Sequence, residues 1–182
     1  MSSARTAVKY RAILADPPWG QGLTGKYKSR HKRRKELAYP TMTIAEIINL
    51  PIPDIADEGC HLWLWTTNQF LRDGFNVLEA WGFKYLAPIT WVKPSGLGNY
   101  FVSRTQTLLF GYKNRCVFPL ERYKPTVLFA GTPRRHSEKP QESYGLIESI
   151  SPEPRLELFA RRKRMGWDCW GNEVDNDVEL DK

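Results

Sequence analysis

The motif DPPW at residues 16–19 combines an acid, a rigid backbone and an aromatic ring at a spacing that could do chemistry. An aromatic amine such as the 6-amino group of adenine is a poor nucleophile until acceptors hold both of its N–H bonds. The Asp16 carboxylate could accept one N–H and the backbone carbonyl of Pro17 or Pro18 the other, because prolines fix φ and bring no competing donor. Trp19 would offer a flat face to a base taken out of its stack. The structural alternative is a rigid turn that closes a strand, with Trp19 in the core.

The elements around this motif predict where it lies. The apolar run Tyr10–Ala15 is typical of a buried strand, so DPPW follows a strand end. Further strands are predicted in "GCHLWLWTT", "KYLAPITWVK", "TQTLLFGYK", "TVLFAG" and "RLELFA", and helices in "TIAEIINL", "NQFLRDGFNVLEAWGF" and "KPQESYGLIESIS". This alternation indicates an α/β sheet with helices on both faces. Ligands of such sheets bind beyond the carboxyl ends of strands, where DPPW falls.

Local signals mark where these helices begin and end. Thr43 and Glu46 have the spacing of a capping box at the start of the first helix, and Asn68 is the predicted N-cap of the second. Pro140 is tolerated in the first turn of the third helix, and Pro152 ends it.

Positive charge is concentrated in one segment. The chain carries a net charge of +7, from 27 basic and 20 acidic residues, and the segment 26–35 holds seven of the basic residues and no acid. Such a segment implies an anionic partner, with nucleic acid first and a membrane surface second, and Arg33, Arg34 and Lys35 are candidate phosphate contacts. The segment has no apolar stripe, which argues against a helix lying on a membrane. A solvated loop without a partner is the alternative.

Several classes of protein are disfavoured. The three cysteines form no CxxC pair and the three histidines show no ligand spacing, so neither a disulfide framework nor a metal site is predicted. No apolar run approaches the roughly 18 residues of a membrane helix, and the first residues lack the apolar core of a secretion signal. We therefore expect a cytoplasmic protein. Its length suits a single domain, residues 1–182, with a basic loop 21–38 and a frayed acidic end, 174–182.

The sequence resembles a known family along nearly its whole length. DPPW after an apolar strand, followed in order by "YPTMTIAEI", "LWLWTTN", "ITWVKP", "SEKPQESYGLIESISP" and "RLELFARRKRMGWDCWGNE", is similar to the MT-A (METTL-type) family of S-adenosylmethionine-dependent adenine-N6 methyltransferases. The resemblance implies a Rossmann-like methyltransferase fold in permuted order, in which the catalytic segment precedes the cofactor-binding segment.

The resemblance also implies a pocket for S-adenosylmethionine. Lys139, in "EKP", would bind the carboxylate of the cofactor. Phe159 would pack on the cofactor, and Arg161 would reach its ribose hydroxyls. Asn172 and Glu173, in "WGNE", match positions that reach the ribose. From the residues alone, the alternatives are that Lys139 is a solvated lysine in a first helical turn and that Phe159 is a core residue.

On the acceptor side, Tyr39 of "YPTM" and Lys93 of "WVKP" are candidates to line the pocket for the base, with ordinary packing or solvation as the alternative. Gln106 departs from the family pattern, because family members often have a glutamate in this segment. The role of that glutamate is therefore in doubt in this sequence.

The expected function is transfer of a methyl group from S-adenosylmethionine to the N6 amine of adenine in a nucleic acid, without a metal or a covalent intermediate. Small size and the lack of a recognisable target-recognition domain favour DNA over RNA, as in a prokaryotic or phage enzyme. Two alternatives stay open: another planar amine such as that of cytosine, and an inactive nucleic-acid-binding partner subunit. A homodimer is also compatible with the sequence.

Overall fold

The first predicted strand lies inside a seven-stranded sheet in the computed structural model, which describes residues 8–20, 40–97, 100–118, 124–129, 131 and 138–180. The strands are β1 (Tyr10–Ala15), β2 (Ala56–Thr66), β3 (Lys84–Leu97), β4 (Ser103–Tyr112), β5 (Val127–Phe129), β6 (Arg155–Leu158) and β7 (Asp168–Trp170). The helices are α1 (Ile44–Ile48), α2 (Ile52–Ile55), α3 (Leu71–Ala80) and α4 (Gln141–Ile150). The strand order is β5-β3-β4-β2-β1-β6-β7. Pairings between these strands are parallel except those of β4, which is antiparallel to both neighbours.

Two apolar clusters pack on opposite faces of the sheet because side chains alternate along each strand. In β1, Ile13 joins the cluster that contains α1 and α3 residues, whereas Leu14 joins the cluster that contains α4 residues. The prediction of helices on both faces is therefore confirmed. The longest helices of the described ranges have ten residues, and none of them is long and apolar enough to span a membrane.

The capping box of α1 is confirmed. The Thr43 hydroxyl accepts the backbone N–H of Glu46 at 3.2 Å, and the Glu46 carboxylate accepts the backbone N–H of Thr43 at 2.7 Å. This second bond, the largest cause, lowers the pKa of Glu46.

The predicted N-cap of the next helix is wrong. Residues Asn68–Phe70 form a turn of 3₁₀ helix, and α3 begins at Leu71 without a side-chain cap. The amide nitrogen of Asn68 instead donates to the hydroxyls of Ser103, at 3.0 Å, and Thr105, at 3.3 Å. The Asn68 side chain, which the local sequence assigned to the start of the helix, therefore makes a tertiary contact with β4 instead.

Two short elements were not predicted, and the acidic end differs from expectation. α2 has four residues and β7 has three, too few to show a periodic pattern. Within 174–180, expected to fray, Leu180 is buried, and the Asp177 carboxylate accepts the backbone N–H of Cys169 at 3.0 Å. Burial of apolar side chains spaced between the acids orders this end.

Candidate active site

The carboxyl ends of four parallel strands meet at one edge of the sheet. DPPW leaves β1 at this edge, and β2 ends beside it because Ala15 pairs with Leu64. The residues after β6 and β7 arrive on the other side of β1, since β6 pairs with β1 and β7 with β6. The sheet thereby brings the first motif of the chain next to the C-terminal segment, as the permuted order requires.

An ion pair joins Asp16 to Lys139. The ammonium of Lys139 contacts Oδ2 of Asp16, although the two residues are 123 positions apart. The Lys139 side chain is 9% exposed and that of Asp16 is 33% exposed. The same ammonium lies 5.6 Å from the centroid of the Trp65 ring. A charged pair is thus held in a partly desolvated place, and the carboxylate keeps access to solvent.

The backbone of DPPW is held by hydrogen bonds of its own. The N–H of Trp19 donates to the carbonyl of Pro17 at 2.8 Å, and the N–H of Met42 donates to the carbonyl of Pro18 at 3.0 Å. The N–H of Gly20 returns to the carbonyl of Met42 at 3.0 Å. Both proline carbonyls therefore already accept one bond. Each oxygen keeps a second lone pair, and Pro18 is the more exposed of the two residues.

Trp19 does not present a face for stacking. Its side chain is 7% exposed, and its ring stacks on Phe70 with centroids 5.7 Å apart and an interplanar angle of 13°. The indole N–H donates to the carbonyl of Trp65 at 3.1 Å. The expectation that Trp19 stacks on a base is wrong for this structure. Burial of the ring in the core is more favourable, and the indole N–H also has an acceptor there.

A row of aromatic and basic side chains continues from the ion pair onto β3. The rings of Trp65 and Trp91 meet edge to face at 6.1 Å, and the Lys93 ammonium lies 5.7 Å from the centroid of Trp91. Burial, and then the charge of Lys139, lowers the pKa of Lys93. Gln106 pairs with Trp91 across the ladder and so shares its face. Lys93 and Gln106 therefore stand on the same side as the ion pair.

One buried donor at this edge lacks a partner. The indole nitrogen of Trp65 is buried and, among the residues that the structure describes, finds no acceptor. An unsatisfied buried N–H costs free energy, so such atoms are rare away from sites where something else binds. The sequence indicated only that this tryptophan belongs to a buried strand.

The segments that follow β6 and β7 are packed tightly together. Phe159 has a φ of 61°, a left-handed conformation that non-glycine residues seldom adopt. Its half-exposed ring packs edge to face on Trp170 at 5.5 Å. A side chain at Gly171 would collide with the backbone of Ala160, whose N–H donates to the Trp170 carbonyl at 2.9 Å. This close approach places Phe159 beside the WGNE segment.

The polar residues of these two segments lie at the rim. The Arg161 guanidinium is 3.6 Å from the Glu173 carboxylate, with side chains 40% and 55% exposed, and Asn172 is exposed as well. All three side chains are therefore accessible from solvent at this rim.

A partly buried carboxyl close to the ion pair was not predicted. Glu157 of β6 accepts the hydroxyl of Tyr144 at 2.8 Å, and the Arg164 guanidinium lies 3.6 Å from the centroid of that ring. Burial is the largest cause that raises the pKa of Glu157, and the charge of Asp16 adds to it. An acid inside an otherwise apolar strand, "RLELFA", was the signal that could have revealed this residue.

Four of the expected site residues, Tyr39, Arg33, Arg34 and Lys35, lie outside the described residues, as does the basic loop 21–38.

Comparison with known proteins agrees with the motifs. A family model described as MT-A70 matches residues 10–173. The chain is 33% identical to the type II methyltransferase M.MunI of Mycoplasma sp, over 94% of this chain and 81% of that protein. It is 33% identical to a probable N(6)-adenosine-methyltransferase MT-A70-like of Oryza sativa subsp. japonica, over 94% of this chain and 24% of that protein. It is 31% identical to the N(6)-adenosine-methyltransferase catalytic subunit METTL3 of Homo sapiens, over 95% of this chain and 30% of that protein.

Proposed function

The chain belongs to the MT-A70 family, and from this premise we propose that it transfers a methyl group from S-adenosylmethionine to the N6 amine of adenine in a nucleic acid. The ion pair of Asp16 and Lys139 is the observation that carries the proposal. It unites the motif suited to an aromatic amine with the lysine suited to the carboxylate of the cofactor.

The residues at this edge match the chemical groups of S-adenosylmethionine. Its carboxylate needs a cation, which Lys139 offers, and its ribose hydroxyls need acceptors and donors, which Asn172 and Glu173 offer. The half-exposed ring of Phe159 suits the flat face of a purine. Trp65 adds a buried N–H that lacks a partner among the described residues. When bound, the cofactor supplies a methyl group on a positively charged sulfur.

Asp16 has the chief role on the acceptor side. Lys139 contacts Oδ2 of this residue, and a carboxylate can accept several hydrogen bonds, so Asp16 can also accept an N–H of the amine. The second lone pair of the Pro18 carbonyl can accept the other N–H. Holding both bonds favours a tetrahedral nitrogen, whose lone pair would then be available to the methyl group that the cofactor would supply. Positive charge grows on that nitrogen, and the Asp16 carboxylate stabilises it before the proton is lost to water.

We place DNA ahead of RNA as the acceptor. The chain covers 81% of the relative named a type II methyltransferase, whereas it covers 24% and 30% of the N(6)-adenosine-methyltransferases above. The similarity along most of the length of the type II methyltransferase is what supports DNA as the acceptor.

The test is methylation by the purified protein. It is incubated with S-adenosylmethionine and separate DNA and RNA oligonucleotides, which are then digested so that mass spectrometry identifies the modified nucleoside. Asp16→Ala is expected to lower the rate at least about 100-fold, the scale for losing one preorganised electrostatic partner, while cofactor affinity stays within severalfold. Asp16→Asn should be nearly as inactive, because an amide accepts more weakly and brings a competing donor.

Asp54→Ala is a matched control, since Asp54 is an exposed acid in α2, before the amino end of β2 and so at the opposite edge of the sheet. Substantial turnover by Asp16→Ala would contradict the mechanism. Detection of methylated cytosine would show that cytosine, not adenine, is the acceptor base. Failure to bind labelled S-adenosylmethionine would identify the protein as an inactive partner subunit.

A further inference from the structure

The hairpin formed by β3 and β4 projects past the end of β2, and among the described residues β5 accompanies β3 only as far as Val92. Thr66, the last residue of β2, pairs with Thr107, and Thr107 pairs with Thr90. β3 continues for seven residues past Thr90, to Leu97. At about 3.3 Å per residue the hairpin can rise roughly 23 Å above the level at which β2 ends. Because β3 runs parallel to β1 and β2, this projection stands at the edge that carries Asp16.

The stem of the hairpin is fixed relative to the site. Asn68 bonds to two hydroxyls of β4, and Phe70, in the same 3₁₀ turn, stacks on Trp19 of DPPW. The Arg104 guanidinium donates to the carbonyl of Lys93 at 3.0 Å, and this bond ties the two strands together. The stem of the hairpin is therefore held next to the catalytic motif.

The tip itself exposes large apolar side chains. Tyr100 is 91% exposed, Phe101 is 90% exposed and Val102 is 61% exposed. Three exposed apolar side chains in a row contribute nothing to the stability of a monomer. Adjacent exposed aromatic residues commonly mark a binding surface.

The charge of the hairpin indicates the kind of partner. From Lys84 to Phe118 the sequence contains five basic residues and no acidic residue. Lys93 and Arg104 lie on the projecting part of the stem. Exposed aromatic rings at the tip of a stem that carries cations and no acid suit the bases and phosphates of a nucleic acid strand better than the mixed charges of a protein surface.

We propose that Tyr100 and Phe101 stack on bases of the acceptor strand a few nucleotides away from the adenine at Asp16. This inference rests on the proposed function. The hairpin acts as a second contact point that holds the strand, while the catalytic edge holds the target. Stacking does not distinguish one base from another, so this contact adds affinity without adding sequence selectivity.

Substrate length provides the test. The kcat/KM for methyl transfer is measured on a 3-nucleotide and a 21-nucleotide substrate, each with a central adenine, as DNA and as RNA. The double variant Tyr100→Ala, Phe101→Ala is expected to lose at least about fivefold on the longer substrate, the lower limit for one lost stack, and nothing on the shorter one. Tyr100→Trp with Phe101→Trp should retain the activity of the native protein on both.

Tyr85→Ala is the matched control, because Tyr85 is an exposed aromatic residue at the opposite end of the same strand. An equal loss on both lengths, or no loss on either, would overturn the inference. A loss accompanied by a smaller sedimenting species would show that the tip binds a second copy of the chain and would overturn it as well.

Fluorescence anisotropy with the labelled 21-nucleotide strand separates the two proposals. If the native protein binds the strand and transfers no methyl group, the proposed function fails, whereas weaker binding by the double alanine variant still supports stacking. Equal binding by both proteins would overturn the stacking contact whatever the methylation result.

Discussion

Lys139 changes partner if the site works as proposed. In the structure its ammonium contacts Asp16, and a bound cofactor would offer it a second carboxylate. A lysine that is 9% exposed pays for its desolvation through such contacts, so its removal should affect binding more than a surface lysine would. Asn172 is exposed and has a simpler role, since it can only add a hydrogen bond.

Lys139→Ala and Asn172→Ala should each weaken S-adenosylmethionine binding by roughly 1–3 kcal/mol, the range for hydrogen bonds to charged or multiply bonded groups. Isothermal calorimetry measures this directly, and circular dichroism checks the fold. Lys84→Ala serves as the control, because Lys84 is exposed at the start of β3, away from the site. Unchanged affinity in both variants would mean that the pocket has been misplaced.

His61 makes stability depend on pH. Its ring nitrogen Nδ1 lies 3.0 Å from the Ser151 hydroxyl, which also accepts the indole N–H of Trp63 at 2.8 Å. Burial, and then the charge of Arg11, lowers the pKa of His61 to about 4. An unfolded histidine binds its proton near pH 6.5, so below that value the unfolded state binds more protons than the folded state. The stability due to neutral His61 is therefore complete above pH 6.5 and is lost as the pH falls toward 4.

His61→Phe should remove this part of the pH dependence, because phenylalanine has a similar shape and no proton to bind. Urea unfolding at pH 7 and pH 5 is expected to show a smaller fall in the free energy of unfolding for the variant than for the native protein. Parallel losses in the two proteins would contradict the assignment to His61.

At the scale of elements, the junction after β6 and β7 determines the shape of the expected ribose site. Gly171 allows its backbone to approach Ala160 more closely than any side chain would permit. Asn172 and Glu173 follow directly, so their positions depend on this contact. On the other side of the junction, Phe159 directly follows the end of β6 and has a left-handed backbone conformation. This conformation indicates that the whole junction is under local constraint.

Gly171→Ala should separate the two segments. We expect a loss of roughly 1–3 kcal/mol in the free energy of unfolding, the usual cost of overpacking, and weaker cofactor binding as the polar rim shifts. Gly145→Ala in α4 is the matched control, since its new methyl group meets nothing within 4 Å. It should stabilise the protein by up to about 1 kcal/mol through helix propensity. Similar behaviour of the two variants in denaturant unfolding would exclude a special role for Gly171.

At the scale of the whole molecule, positive charge is distributed unevenly. The segment 26–35 accounts for the whole excess of basic over acidic residues, and the acid-free stretch of the hairpin lies in a different part of the sequence. Both regions would offer positive charge to the phosphates of a nucleic acid strand. Phosphate contacts of this kind position a strand but do not read its sequence.

Neutralising Arg33, Arg34 and Lys35 together should weaken nucleic-acid binding for all sequences alike. Each phosphate contact contributes about 0.9 to the slope of log affinity against log salt on duplex DNA, or about 0.7 on a single strand, so the slope should flatten by roughly 2 to 3. Cofactor binding should stay the same. If titrations from low to high salt give the native slope and methylation is unaltered, the segment is a solvated loop.

Most of the fold could be predicted because its signals are local. The run Tyr10–Ala15, the alternation in "RLELFA" and the capping box at Thr43 each depend on residues within a few positions of one another. α2 and β7 were missed because elements of three or four residues have no period to detect. Asn68 was misassigned because the cap pattern is local, whereas its actual partners on β4 are 35 and 37 positions away.

The sequence by itself determined the class of fold, the family and the residue types available for the reaction, since these follow from composition, periodicity and motifs in order. Only the tertiary structure decided which of them meet. It paired Asp16 with Lys139, took Trp19 into the core, placed the acid Glu157 near that pair and left Tyr100 and Phe101 in solvent. The physical reason is that burial and long-range contact are properties of the packed sheet, in which residues more than 100 positions apart become neighbours.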